Sequence, residues 1–461
     1  MHVVVVGGGI SGLATAAAVR RAEPSYAVTV LEGSPAIGGK LKLAEVGGVT
    51  VDVGAESMLN RRPDAVTLAS DAGLGIVHPA TTQASIWTRQ RMRPMPRSLM
   101  GVPVDQKDLV ESGVLSRAGS TRAALDQVMP ATRLGDNDVS VGWLIEERFG
   151  KELLDRLVEP LLGGVYAGHA REISARAAVP QIVALLDQDK SLSRAAAAAL
   201  GPSEGAAPVF AGIEGGIGRL PDALVRAFGL QVRTGAMVRQ LARAGEGGWN
   251  VVVGPTTDPE VIHADAVVLA TPAAATARLL RDVVPDAALE LARVEAASVA
   301  IVTMAFRERD LPEVQGSGFL VPPIDGRVVK AATYSFSKWD WVRKAGGEMR
   351  VLRTSIGRHR EEQVLQADDD ELVQLSVNDL ADAIGLSVRP VESHVQRWGG
   401  GLPQYTVGHL ERVARVRSSI AKEPTLAVAG ATYDGLGIPA CIASGHAAAD
   451  QVLRSLADQG E

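Results

Sequence analysis

The chain has 461 residues, of which 46% are hydrophobic and 22% are charged, a composition typical of a soluble, folded protein with two or three domains. Its net charge of −6 argues against a general nucleic-acid-binding protein, because such proteins usually carry a basic excess. Cys441 is the only cysteine, which excludes an intramolecular disulfide and a cysteine-based metal site. We expect a cytoplasmic protein with no metal, no secretory signal and no membrane-spanning segment.

A strand, a glycine-rich turn and a helix open the chain. Residues 3–6 are a continuous run of valines, typical of a strand buried in a parallel sheet, and helical spacing follows over residues 11–21. Between them the sequence has the spacing Gly-x-Gly-x-x-Gly, which indicates a turn that brings the backbone close to a pyrophosphate at the N-terminus of the helix. The residues predicted to line this turn are Gly7, Gly8, Gly9, Ile10, Ser11 and Gly12.

Glu32 ends the second predicted strand, about 20 residues beyond the last glycine of the turn. An acid at this distance can accept hydrogen bonds from the ribose hydroxyls of a dinucleotide. It also disfavours a 2′-phosphate, so NADP is not expected. These features predict a dinucleotide site but leave NAD and FAD open.

Two further stretches favour FAD. GGK ends at Lys40, and VDVGAESM follows it. An NAD site does not require these features, whereas they resemble the extended FAD signature of the flavin amine oxidase superfamily. In that signature the glycine pair and its basic neighbour approach the pyrophosphate, and the GAE-like turn borders the flavin. The residues predicted to contact FAD in these stretches are Gly39, Lys40, Gly54, Ala55, Glu56 and Ser57.

A third glycine-rich turn lies near the C-terminal end, after an apolar strand at residues 426–429. It precedes a predicted helix, so its backbone N–H groups suit a polar ring or a phosphate; a turn that only caps a surface helix is the alternative. The residues predicted to face the cofactor here are Gly430, Leu436, Gly437 and Ile438. Val238 is predicted to contact adenine. Trp398 is predicted to border the isoalloxazine or the substrate, with core packing as the alternative.

Six segments together resemble the flavin-dependent porphyrinogen oxidases of haem biosynthesis, over essentially the whole chain. They are VVVVGGGISGLATA, GGKLK, VDVGAESM, VVLATPAA, LPQYTVGHLERV and AGATYDGLGIPACIASGHAAADQV. The most specific parts are LPQYTVGH and GIPACIASG. The resemblance implies FAD as cofactor and a six-electron oxidation of a porphyrinogen by oxygen, with hydrogen peroxide as product. Soluble members commonly convert coproporphyrinogen III to coproporphyrin III, which we favour over protoporphyrinogen IX.

The resemblance and the order of the segments predict an α/β fold with a discontinuous Rossmann-like FAD-binding domain, a mixed-sheet substrate domain and a helical insertion. The predicted FAD-binding domain comprises residues 1–80, 205–293 and 401–461. The substrate domain comprises residues 81–104 and 294–400, and the helical insertion residues 105–204. Residues 201–207 are predicted to form a linker.

A basic, proline-spaced stretch supplies candidates for substrate binding. Arginine is the favoured bidentate partner of carboxylates, so the arginines of this stretch are predicted to bind propionates, with a solvated basic edge as the alternative. They are Arg89, Arg91, Arg93 and Arg97. No catalytic base is identified, because a structural hydrogen bond explains His409 and His446 at least as well.

The expected partners are a porphyrinogen and oxygen, with no nucleic acid. Peripheral membrane contact of the helical insertion, transfer of the product to a ferrochelatase and the oligomeric state are left open by the sequence. The alternatives to a porphyrinogen oxidase are an amine oxidase, a carotenoid-type desaturase and a non-catalytic flavin-binding protein.

Overall fold

A computed structural model of the protein describes residues 1–201, 208–245 and 247–458. The predicted linker at residues 201–207 lies outside the described residues except for Gly201. Separate hydrophobic cores define a nucleotide-binding region, a region built on a mixed sheet and a helical region.

The nucleotide-binding region contains a parallel sheet of five strands. Their spatial order is Gln231–Arg233, Ala27–Leu31, His2–Val6, Ala266–Leu269 and Leu426–Val428. Numbered along the chain, this order is 3-2-1-4-5, as in a Rossmann-type sheet. The order reverses beside His2–Val6, so a ligand crevice is expected at the C-terminal end of that strand. The predicted α/β fold with a Rossmann-like sheet is confirmed.

Two layers cover the parallel sheet. The helices on one face are Ile10–Ala22, Pro63–Asp71, Leu220–Phe228 and Ile438–Asp458. The other face carries the antiparallel strands Val238–Arg243, Trp249–Val253 and Glu260–Ala264 and the helices Ala273–Leu280, Pro285–Ala292 and His409–Ile420. The first and last helices approach closely at Gly445, where a Cβ would lie 2.5 Å from the Ser11 carbonyl oxygen. The Thr15 hydroxyl donates to the Gly445 carbonyl across this contact (3.0 Å).

Short antiparallel strands connect this region to the rest of the molecule. Leu43–Val46 pairs with Val49–Asp52, and Phe210–Ile213 lies between Met58–Leu59 and Ile76–Val77.

The second region is a mixed sheet of seven strands. Their spatial order is Glu392–Pro403, Ala296–Arg307, Met349–Ile356, Val329–Thr333, Gly318–Leu320, Ser85–Thr88 and Arg91–Pro94. Gly318–Leu320 and Ser85–Thr88 run parallel, and the other neighbours run antiparallel. The helix Asp369–Ile384 packs on one face and begins at Asp368, whose side chain accepts from the Glu371 N–H. The short helices Ser335–Lys338 and Asp340–Gly346 follow the strand Val329–Thr333.

The third region is helical and is preceded by a small hairpin, Ser98–Leu99 with Val102–Pro103. Its helices are Gln106–Ser112, Arg117–Ala124, Val141–Phe149, Lys151–Leu153, Glu159–Tyr166, Ala175–Ala178, Pro180–Val183 and Leu192–Leu200. A fully buried ion pair joins Arg148 to Asp126, with Nε 2.7 Å from Oδ1. Arg148 also donates to the carbonyls of Pro130 and Lys190. These added hydrogen bonds offset the cost of removing both charges from water.

The exact domain boundaries stay a prediction. The strand Glu392–Pro403 runs across the predicted boundary between residues 400 and 401. Three consecutive glycines at residues 399–401 hide this continuity in the sequence, because glycine is unusual inside strands. No helix among the described residues is both long enough and apolar enough to cross a membrane.

Candidate cofactor and substrate site

The first glycine turn joins the strand His2–Val6 to the helix Ile10–Ala22 and is packed tightly on its inner side. Gly7 has φ +111°, and a Cβ there would lie 2.6 Å from the Ala270 carbonyl oxygen. On the outer side, a Cβ at Gly9 would meet no described atom within 4 Å. The first helical turn consists of Ile10, Ser11, Gly12 and Leu13. The Leu13 N–H donates to the Gly9 carbonyl (3.0 Å), and no acidic residue lies in this turn, so the N–H groups of Ile10, Ser11 and Gly12 suit an anion.

Glu32 is held beside this turn by the backbone. Its carboxylate accepts hydrogen bonds from the N–H groups of Gly8 (2.7 Å) and Ser34 (2.8 Å). The Glu32 carbonyl accepts from the Ala236 N–H (2.8 Å), which brings the segment leading to Val238 alongside. Val238 is buried at the start of its strand. The predicted ribose and adenine contacts thus lie at one end of the crevice.

The second glycine pair lies directly against the first turn. The Gly38 N–H donates to the Gly8 carbonyl (2.8 Å). A Cβ on Gly39, which has φ +56°, would lie 3.4 Å from the Gly9 Cα. Residues separated by about 30 positions therefore form one continuous glycine surface, and a large side chain at either site would narrow it.

Lys40 connects this surface to the mixed sheet. Its ammonium group donates to the Gly401 carbonyl, and burial lowers the pKa of the Lys40 side chain. The Ala55 N–H donates to the Lys40 carbonyl (3.0 Å). A Cβ on Gly54 would lie 2.0 Å from that same carbonyl oxygen and 3.2 Å from Trp398 Cζ2. The predicted GGK and GAE segments and Trp398 therefore meet at one point.

The side chains of Glu56 and Ser57 connect the nucleotide-binding region to the region built on the mixed sheet. The Glu56 carboxylate is buried and lies 2.6 Å from Lys338 Nζ and 3.2 Å from Arg353 Nε. Lys338 also donates to the Ser57 hydroxyl (3.0 Å). Burial raises the pKa of Glu56, but the charges of Arg353 and Lys338 outweigh this effect and hold the pKa below its ordinary value. Sequence reasoning missed Lys338 and Arg353, because they lie almost 300 residues beyond Glu56 and no local motif links them to it.

The C-terminal turn lies beside the phosphate-binding helix. Gly430 has φ +130°, and a Cβ there would lie 4.0 Å from the Ser11 hydroxyl. Gly437 is exposed, and Leu436 packs partly against the helical region. The helix that follows starts at Ile438. Its first turn, Ile-Pro-Ala-Cys, is again free of carboxylates, so a second helix N-terminus near Ser11 also suits an anion.

These features fit a flavin dinucleotide. The two helix N-termini and the open glycine surface suit the pyrophosphate, and Glu32 lies at the adenosine end. The indole Nε1 of Trp398 is buried and has no hydrogen-bond partner in the described part of the chain, so a donor is available where the crevice meets the mixed sheet. FAD therefore fits the residues that the sequence predicted for it.

A row of partly exposed side chains crosses the mixed sheet on the face toward this crevice. The pairing register places the row on five neighbouring strands, as Leu320, Ala331, Ser355, Ile301 and Gln396. Side chains of central strands are usually covered when both faces of a sheet pack against other layers. Arg353 lies two residues before Ser355 in the same strand, so both side chains are on the same face of the sheet. Arg353 donates to the Gly54 carbonyl (2.7 Å), which shows that this face is directed toward the crevice. We call this row the groove row.

The groove row lies beneath the helix Glu159–Tyr166. A Cβ on Gly164 of this helix would lie 3.6 Å from Leu320 Cδ2, so the helix reaches this end of the row, whose members stay partly exposed. Trp398 pairs with Val299 in the adjacent row on the same face. The result is a groove between the mixed sheet, the helical region and the nucleotide crevice.

The comparisons with known proteins agree with this geometry. Residues 10–453 match the family of flavin containing amine oxidoreductases. The chain belongs to this family. It is 37% identical over 458 residues to a coproporphyrinogen III oxidase of Mycobacterium leprae, covering 98% of each chain. It is 30% identical over 472 residues to a coproporphyrinogen III oxidase of Bacillus subtilis, covering 99% of this chain and 98% of the relative.

A crystal structure of a putative protoporphyrinogen oxidase from Exiguobacterium sp. 255-15 has the same fold. It superimposes with a TM-score of 0.88 at 30% identity, covering 98% of this chain and 99% of the other. The predicted family and its FAD cofactor are confirmed, and the chain is a flavin-dependent oxidoreductase. The individual contacts to FAD stay predictions.

The predicted arginine cluster lies far from the flavin crevice of this oxidoreductase. Arg89 (φ +53°) and Gln90 (φ +60°) form the turn of the hairpin at the outer edge of the mixed sheet. Six strand spacings separate this hairpin from the strand of Trp398, which corresponds to roughly 29 Å. Arg89 lies 3.6 Å from Glu152, and Arg97 donates to the Gly201 carbonyl. A propionate-binding role for Arg89, Arg91, Arg93 and Arg97 stays a prediction.

Neither histidine of the flavin-proximal stretches is placed as a catalytic base. His409 is fully buried, with Nε2 3.0 Å from the Thr432 carbonyl oxygen. Burial lowers the pKa of His409 to about 4, so the ring is neutral at pH 7. Burial also lowers the pKa of His446, which lies on the helix Ile438–Asp458. The thiol of Cys441 is buried as well, which raises its pKa and makes it a poor nucleophile.

Proposed function

We propose that this chain oxidises coproporphyrinogen III to coproporphyrin III in haem biosynthesis, with oxygen as the final acceptor. The observation that carries the proposal is the full-length identity with relatives named coproporphyrinogen III oxidase. In the proposed reaction six hydrogens leave the macrocycle, and three molecules of oxygen take them up as three molecules of hydrogen peroxide. Bound FAD supplies the two-electron acceptor for each step.

The groove supports a substrate with a broad ring. Four strand spacings separate Leu320 from Gln396, which corresponds to roughly 19 Å. Ala331 and Ser355 in the middle of the row are small, so they leave space above the sheet. The row has one end near Gly164 of the helical region and the other near Lys42. A macrocycle lying on this row would be held between the helical region and the flavin crevice.

The negative charge of the substrate requires a cation at the groove, and Lys42 is a candidate. The ammonium group of Lys42 donates to the Gln396 side chain (2.7 Å) and is exposed at the end of the row. We propose that Lys42 interacts with a propionate of the substrate, since it is an exposed cation at one end of the groove row. The four propionates of coproporphyrinogen III, against two in protoporphyrinogen IX, offer more such contacts. We assign no general base, because the groove row consists of leucine, alanine, serine, isoleucine and glutamine.

The decisive experiment compares anaerobically prepared coproporphyrinogen III and protoporphyrinogen IX on purified holoenzyme. Porphyrin fluorescence, oxygen consumption and peroxide are followed together, with heat-inactivated enzyme as the control for spontaneous oxidation. We expect a higher kcat/KM for coproporphyrinogen III and three molecules of peroxide per porphyrin. Preference for protoporphyrinogen IX would reverse the substrate assignment. Turnover of putrescine without turnover of either porphyrinogen would identify an amine oxidase instead.

We also propose that the enzyme works in the cytoplasm, as the sequence predicts. Peripheral contact of the helical region with a membrane and transfer of the product to a ferrochelatase are separate predictions. Neither is needed for the reaction on the groove row.

A further inference from the structure

The turn at residues 430–437 contains two glycines with an unusual backbone conformation. Gly430 and Gly435 both have φ +130°, a region of backbone conformation that is open mainly to glycine. The turn connects the last strand of the parallel sheet to the helix that begins at Ile438. Because it lies beside Ser11 of the phosphate-binding helix, a shift of the turn would change the shape of the flavin crevice.

One hydroxyl group bridges the turn. Tyr405 Oη donates to the Ala431 carbonyl (2.5 Å) and accepts from the Gly435 N–H (2.9 Å). Tyr405 is buried, and burial raises the pKa of its phenol. The phenol therefore keeps its proton and can maintain both hydrogen bonds, which fix the distance between the two ends of the bridged segment.

His409 adds a third hydrogen bond to the same turn. Its ring stacks on Tyr405 with centroids 4.0 Å apart and an angle of 14°. The Thr432 carbonyl can only accept, so His409 Nε2 carries the hydrogen that spans the 3.0 Å between them. The side chains of the two stacked residues thus hydrogen-bond to the turn at three positions, Ala431, Thr432 and Gly435.

The same two residues are anchored in the helical region. The Ser174 N–H donates to the Tyr405 carbonyl (2.7 Å). Asp138 accepts from the Ser174 hydroxyl (2.8 Å) and from the Gly408 N–H (2.9 Å), directly before His409. A path of hydrogen bonds therefore runs from Asp138 through Tyr405 and His409 to the turn.

We infer that Tyr405 and His409 are positioning residues that fix the turn at residues 430–437 in its flavin-binding shape and couple it to the helical region. The inference rests on the proposed flavin contacts of Gly430, Leu436, Gly437 and Ile438. Neither residue needs to touch the substrate or the cofactor. Both act through the turn.

The test uses Tyr405→Phe, which removes only the hydroxyl, and Tyr334→Phe as the matched control. Tyr334 is a buried tyrosine on the far side of the mixed sheet. FAD dissociation is measured on holoenzyme by dilution and flavin fluorescence, together with the visible circular dichroism of bound flavin. We expect Tyr405→Phe to raise the Kd for FAD by about tenfold or more, because two hydrogen bonds are lost. The flavin dichroism should change, and kcat should fall more than KM rises.

His409→Phe keeps an aromatic ring beside Tyr405 but removes the bond to Thr432, so we expect a smaller rise in Kd. Asp138→Asn provides a milder change if Tyr405→Phe fails to fold, and it should raise the Kd by about twofold to threefold. Equal Kd and dichroism for Tyr405→Phe, Asp138→Asn and Tyr334→Phe would overturn the inference, whatever their thermal stability. If the wild-type protein turned over no porphyrinogen, the proposed function would fail while the FAD measurements would still decide this inference.

Discussion

The two faces of the mixed sheet differ in how they are covered. On the face toward the helix Asp369–Ile384, the row formed by Phe319, Ala332, Thr354 and Val302 is fully buried. On the opposite face, the groove row is formed by the residues next to these in the same strands, together with Gln396, and is partly exposed throughout. The strands, register and backbone hydrogen bonds are shared, so the two rows differ in their side chains and in the layer that covers them.

This difference separates stability from function within a single sheet. Thr354, the polar member of the buried row, shares a hydrogen bond with the Ser376 hydroxyl of the covering helix (2.7 Å), as a buried hydroxyl requires. Ser355, its neighbour, faces the groove. We therefore expect substitutions in the buried row to change the free energy of unfolding and those in the groove row to change kinetics.

The adjacent alanines 331 and 332 give the largest expected contrast. Ala331→Phe places a ring in the groove and should lower kcat/KM by about a hundredfold or more, because the proposed substrate position is filled. Ala332→Phe overpacks the buried row and should destabilise the protein by about 1–3 kcal/mol. Steady-state kinetics and denaturant unfolding of both variants test the contrast.

FAD content is the control for this pair, since both variants should purify with bound flavin. Full activity of Ala331→Phe would show that the groove row does not contact the substrate. A large loss of stability in Ala331→Phe, equal to that of Ala332→Phe, would remove the distinction between the two faces.

The next largest effect concerns His409, whose side chain is as buried as the row under the helix Asp369–Ile384 but is ionisable. The pKa of His409 is lowered to about 4, chiefly by burial and further by Arg412, while the Thr432 carbonyl and Asp138 act in the opposite direction. In the unfolded chain its pKa is about 6.5. Between these values the unfolded state binds the proton and the folded state does not, so folding stability rises with pH.

Lowering the pH from 7 to 5 should therefore cost about 2 kcal/mol of unfolding free energy through His409 alone. Urea unfolding of wild type and His409→Phe at both pH values, with the same excess of FAD, isolates this contribution. The variant should lose less stability than the wild type on acidification. Equal losses would mean that His409 has an ordinary pKa in the folded protein.

The structure also shows which parts of the site a sequence can predict. The first glycine turn was recognisable because its residues are contiguous and its spacing reflects one local geometry at Gly7, Gly9 and Gly12. The groove row was not, because its members come from strands whose pairing is set by the fold. Glu56 was recognised from its motif, but its contact with Lys338 spans 282 residues, and nothing local in the sequence indicates that pairing.

The arginine-rich stretch is a different case, because its propionate-binding role stays a prediction. Four arginines among prolines suggested a binding site, yet the structure places the stretch at the edge of the mixed sheet. Charge clustering alone does not distinguish a ligand site from a solvated edge strand, where charged side chains discourage association with other strands.

Lys42 provides a smaller kinetic effect at the open end of the groove row. Lys42→Ala should raise KM for coproporphyrinogen III by about tenfold with little change in kcat, as expected for a ground-state contact to a carboxylate. The increase should be smaller with protoporphyrinogen IX, which has fewer propionates. Lys422→Ala, which removes an exposed lysine near the end of the helix His409–Ile420, is the control. Equal KM values for Lys42→Ala and wild type would place the propionates elsewhere.

The smallest effect is expected at the outer hairpin, where the sequence predicts propionate binding. If Arg91 and Arg93 hold propionates, Arg91→Ala and Arg93→Ala should each raise KM by about tenfold, as proposed for Lys42. Arg93 pairs with Ile86 at the far end of the groove row, and Arg91 pairs with Thr88 two residues away on the same face. Ile86 is buried in the core of the helical region, so this core separates the hairpin from the open groove. We therefore expect KM to change by less than about twofold in both variants, and a larger rise for Arg93→Ala alone would extend the substrate site along the row to the outer strand.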